Sequence, residues 1–108
     1  MTDLEACRAV AAHVEDGVMQ EAVTVLVTAG THVKRDPAAR DATEVRPVIK
    51  VNLSGEDGNA FFLVSRVIHG LVKARREASA CEVLRAYDAS KSYDDLVRLA
   101  HRYVVMEI

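Results

Sequence analysis

The sequence predicts an α+β fold: two N-terminal helices, then a compact β-α-α-α-β unit whose two strands form a small antiparallel sheet. Three observations carry this reading. Apolar residues recur at helical spacing in five separate stretches, residues 48–53 and 103–108 alternate with period two instead, and several helix starts are marked by capping residues. A chain of 108 residues has room for one domain, and with 50% hydrophobic and 28% charged residues it can bury an aliphatic core, which excludes global disorder.

Each element has its own signal. Thr2 and Glu5 form a capping box, and Leu4, Cys7, Ala11 and Val14 then share a face, predicting a helix over 3–15. Asp16 and Gly17 interrupt. Val18, Ala22, Val25, Leu26 and Ala29 again share a face, with Gly30 placed as a C-cap, so a second helix is expected over 18–29. The β-branched run Val23 to Thr28 keeps a strand open as the competing reading. Residues 31–45 carry mixed charge and no sustained apolar period, as a long surface connection does. This divides a single domain into a mostly helical extension with linker, 1–45, and a β-α-α-α-β core, 46–108.

In the core, Ile49, Val51 and Leu53 face one way and Lys50 and Asn52 the other, the pattern of a half-buried strand with Pro47 at its entrance. Asp57 or Asn59 caps the next helix, expected to run to about Arg76 with Phe61, Val64, Ile68, Leu71 and Val72 inward. Ser79 with Glu82 reads as the capping box of a short helix to Tyr87. Ser92 with Asp95 opens another through Leu96 and Leu99. A closing strand then turns Val104, Met106 and Ile108 inward. Two strands alone are marginal in water, so the helices, a third strand or a partner's edge must complete the sheet, which keeps homodimerisation through an open edge in view.

The formal charge of -2 lacks the footprint of a nucleic-acid binder. That total hides an asymmetry: residues 1–45 hold four Lys plus Arg against eight Asp plus Glu, net -4, whereas 46–108 hold ten against eight, net +2. Within the basic part, Arg66, His69, Lys73 and Arg76 recur along one helix face, with Arg75 beside them and Arg98 and Arg102 on a later helix. These seven residues are the candidate binding residues, for phosphates or an acidic protein, although a solvated helix face accounts for the same stripe. The acidic extension is placed to shield it or to meet a partner itself.

Other constellations fit structural roles better. The turn at Gly55, Glu56, Asp57, Gly58 and Asn59 has the glycines of an anion loop, but its carboxylates would repel phosphate, and a cation held by Glu56, Asp57 and Asn59 is the weaker alternative. Asp94 and Asp95 suit the first turn of a helix by dipole complementarity. His13, His32, His69 and His101 are not at ligand spacing, so no metal or other cofactor is expected. Ser54, Ser65 and Cys81 lack the local context of a nucleophile, leaving no expected catalytic residue. Cys7 and Cys81 read as reduced, packed thiols, and the acidic N-terminus lacks a secretory signal or membrane span, so a cytoplasmic protein with no membrane role is expected.

The segment Val51-Asn52-Leu53-Ser54-Gly55-Glu56-Asp57-Gly58-Asn59-Ala60-Phe61-Phe62, followed by Ser92-Tyr93-Asp94-Asp95-Leu96 and a terminal hydrophobic strand, resembles small proteins of phages, prophages and other mobile elements. The resemblance spans about 48–108. It implies a strand, a turn with helix start and a second helix start that make up nearly the whole of such proteins, and it transfers no activity. Residues 1–45 lie outside it. The expected function is non-enzymatic binding of a host or phage protein, as an inhibitor or regulator; nucleic-acid backbone binding through the basic stripe is the alternative, and a small enzyme a more distant one.

Overall fold

The computed structural model describes residues 1–29, 33–55, 59–87 and 92–107. Among these residues five helices, α1 (Asp3–Glu15), α2 (Met19–Ala29), α3 (Ala60–Lys73), α4 (Glu77–Tyr87) and α5 (Tyr93–Tyr103), accompany two short strands, β1 (Val48–Lys50) and β2 (Val105–Glu107). The mixed helix and strand class is as expected, but the strands run parallel, with Val48, Ile49 and Lys50 opposite Val105, Met106 and Glu107. The expectation of an antiparallel sheet is therefore corrected. Three helical passes separate the strands, so the chain returns to the starting end of the sheet and enters β2 in the direction of β1; antiparallel pairing suits a short hairpin instead.

α1 begins as its capping box dictates: the Thr2 hydroxyl accepts from the Glu5 amide and the Glu5 carboxylate accepts from the Thr2 amide. Residues 19–29 are helical, which decides between the two readings of that stretch. Ala22, Leu26 and Ala29 share the buried face, and the Thr24 hydroxyl is satisfied by the Gln20 carbonyl one turn back. The Gly30 cap lies outside the described residues.

α3 is the hub, packed by α1, α2, α4, α5 and β1. Its buried set is Leu63, Val64, Ser65, Val67, Ile68 and Leu71, wider than the expected stripe because neighbours cover it on several sides. Phe61, expected inward, is instead 41% exposed and meets Tyr87 edge to face at 6.5 Å. The helix ends at Lys73, not Arg76, in a Schellman turn: the Arg76 amide reaches the Leu71 carbonyl and the Arg75 amide the Val72 carbonyl.

The capping box expected at Ser79 is not formed, since α4 already starts at Glu77 and Ser79 is buried inside it. The hydrophobic cluster is continuous across residue 45. Leu4, Ala6, Cys7, Val10, Ala22, Leu26 and Ala29 join Leu63, Ile68, Leu71, Leu84 and Val104 in one core.

The stretch 33–45 is stitched down along its length. Thr2 bridges Lys34, the Asp3 carboxylate accepts from the Asp36 amide, and Asp41 bridges Arg76. Cys7 and Cys81 are free thiols buried in the interface of α1 and α4. A hydrogen bond with Cys81 and then burial push the Cys7 thiol far above its ordinary range, which keeps it protonated.

Candidate functional site

A cleft of about 340 Å³ lies between β1 and α3. Pro47, Val48, Ile49, Gly70 and Ala74 form its apolar lining, and Lys50, Arg66 and Lys73 place cations around it beside the His69 ring. Gly70 sets how closely the two elements approach: a Cβ there would lie 2.5 Å from Ile49 Cγ2, inside any real contact distance. Only glycine lets β1 lie this near the helix.

Residues 47–50, which carry β1, border this cleft. The Val105 amide donates to the Pro47 carbonyl and the Val51 amide to the Glu107 carbonyl. In a parallel ladder the intervening residues then turn their amides away from β2, so Val48 and Lys50 present theirs to the open side. Among the described residues β1 pairs with β2 and no other strand. Val48, 60% exposed, stands at this edge.

The structure divides the seven expected binding residues. Arg66, His69 and Lys73 line the cleft. Arg76 is diverted into the fold, its guanidinium 3.3 Å from Asp41 Oδ2 and donating to the Tyr103 carbonyl at 3.2 Å. Arg46 reaches the His101 carbonyl at 2.6 Å, so two arginines complete the C-terminal end of α5, where open carbonyls and the helix dipole favour cations. Arg75 is exposed on the turn after α3. Arg98 lies 4.0 Å from Asp95 on its own helix, and Arg102 is exposed in the last turn of α5.

Two functional residues escape the reading of the stripe. Lys50 joins the cleft from β1, where strand alternation marks it only as outward-facing. Glu15, at the end of α1, reaches across with Oε2 2.6 Å from His69 Nε2 and Oε1 3.9 Å from Lys73 Nζ. The His69 hydrogen bond first, then the Lys73 charge, hold the Glu15 carboxyl below its ordinary range. Two carboxylates of the acidic N-terminal part thus meet the stripe, Glu15 at His69 and Lys73 and Asp41 at Arg76.

A second cleft, of about 420 Å³, lies beside α4, and its charges satisfy one another. Arg85 bonds both the buried Asp3 and Glu82, and Arg35 stands 3.8 Å from Glu82. Of the residues considered as nucleophiles, Ser65 is fully buried with no hydrogen-bond partner and Ser54 donates to Asn52. Glu56, Asp57 and His32 lie outside the described residues, among which no group of three His, Cys, Asp or Glu side chains is placed to hold a metal ion. No described helix is long and apolar enough to cross a membrane.

No family model, curated protein or solved structure matches the chain. The mobile-element resemblance rests on its own residues, two of which have a clear physical role. Asn59 caps α3 by accepting from the Phe61 amide, and Ser92 caps α5 by accepting from the Asp95 amide.

Proposed function

We propose that this chain is a non-enzymatic accessory protein of the mobile-element type that binds a protein partner, taking an extended acidic segment along the free edge of β1. The observation that carries the reading is the coincidence of a β1 edge that meets no strand but β2 among the described residues with a cleft rimmed by Lys50, Arg66, His69 and Lys73. An added strand gains main-chain hydrogen bonds from the edge, and its alternate side chains meet the cleft. Charge selects the occupant: a second copy would bring the same cations against these, whereas a segment bearing carboxylates complements them.

The test is fluorescence anisotropy with a labelled peptide of alternating Glu and Val. Binding to the native chain that weakens as salt rises is expected. Val48→Pro removes an outward amide donor without touching the β1–β2 ladder, and its loss of binding with an unchanged melting curve supports edge addition. Lys50→Glu is expected to lower affinity independently. Absence of binding, or native affinity in Val48→Pro, overturns the reading. Duplex DNA binding with a steep salt slope in the same assay, without peptide binding, would favour the nucleic-acid alternative.

A further inference from the structure

We infer that Glu15 is an internal ligand of the β1–α3 cleft, holding the anion position that an acidic side chain of the bound segment takes over. The inference rests on the proposed docking of an acidic segment.

Glu15 is the last residue of α1, where the helix dipole is negative and a carboxylate is disfavoured, and Asp16 beside it adds a second negative charge. Helix stability therefore does not explain a glutamate here. Its contacts do: one carboxylate spans the His69 ring and the Lys73 ammonium, which both line the cleft.

The contact is also built to be exchanged. The Glu15 side chain is 58% exposed and that of Lys73 69%, and ion pairs this open are held weakly. The carboxylate can swing into water while His69 and Lys73, on the rigid hub helix, keep their places. Until then it offsets the Lys73 charge, occupies the His69 ring nitrogen and disfavours weakly acidic or neutral ligands, so an arriving carboxylate must offer better geometry than the resident one.

Glu15→Gln removes the competitor and is expected to tighten binding of the alternating Glu and Val peptide by about two- to fivefold, the range set by exposed ion pairs. Glu21→Gln makes the same change in net charge at an exposed position of α2 and should leave affinity nearly unaltered. In a Lys73→Gln background the gain from Glu15→Gln should shrink. The His69 ring resonances should move both on Glu15→Gln and on peptide addition to the native chain. Equal affinities for native and Glu15→Gln chains, an equal gain from Glu21→Gln, or unmoved His69 signals would overturn the internal-ligand assignment while leaving edge docking intact. No binding by either chain would instead remove the docking reading and this inference with it.

Discussion

Arg75 has φ = 62°, a left-handed conformation that L side chains rarely adopt. The same turn occurs after α1, where Gly17 has φ = 74°, the Gly17 amide reaches the Val14 carbonyl and the Val18 amide that of His13. The two Schellman turns thus differ in their central residue, glycine in one and arginine in the other. An L residue in this region carries roughly 1–2 kcal/mol of strain, partly offset because glycine enlarges the entropy of the unfolded chain by about 0.4–1 kcal/mol. Arg75→Gly is therefore expected to stabilise the protein by about 0.5–1 kcal/mol, read as a higher urea midpoint at unchanged slope. The Arg75 side chain is exposed and outside the cleft lining, so peptide binding should barely change.

At the level of the element, α4 shows how a correct helix can carry the wrong start. Ser79 and Glu82 have the spacing of a capping box, yet the helix begins at Glu77 and its N-cap position falls on Arg76, whose side chain has no oxygen to offer. Asp41 supplies one from 38 positions away: its Oδ1 accepts from the Ser79 amide at 2.9 Å, and its Oδ2 takes the Ser79 hydroxyl and the Arg76 guanidinium. Local patterning cannot reveal a cap delivered by tertiary structure. α1 and α5 were legible because their caps, Thr2 and Ser92, are adjacent in sequence. Asp41→Ala removes a cap and leaves Arg76, with only 12% of its side chain exposed, short of its countercharge. It should destabilise the protein by about 2 kcal/mol in urea unfolding, at the upper end for a lost cap, whereas Asp41→Asn should recover more than half of that.

Across the whole molecule, periodicity showed which residues are apolar on one face but not which faces meet. That is why residues 1–45 read as an extension, although α1 packs against α2, α3 and α4. The candidate site was legible only as a stripe on α3; Lys50 and Glu15 reach it from elements whose packing the stripe does not encode. α1 completes the core with Leu4, Ala6, Cys7 and Val10, all 2% exposed or less. Its first turn is further tied to α4 through the pair of buried Asp3 and half-buried Arg85. Losing a single buried Leu side chain typically costs about 2–5 kcal/mol, against a total stability of roughly 5–15 kcal/mol for a domain. A chain beginning at residue 46 forfeits several such contributions together and exposes the inner faces of α3 and α4. It is therefore expected to lose cooperative unfolding, with a shallow urea transition and dye-binding apolar surface, despite retaining both strands and three helices in its sequence. Adding residues 1–29 as a separate peptide should restore a cooperative transition if packing by α1 and α2 is what is missing. A sharp native-like transition in the truncated chain alone would show instead that the β-α-α-α-β segment closes its own core.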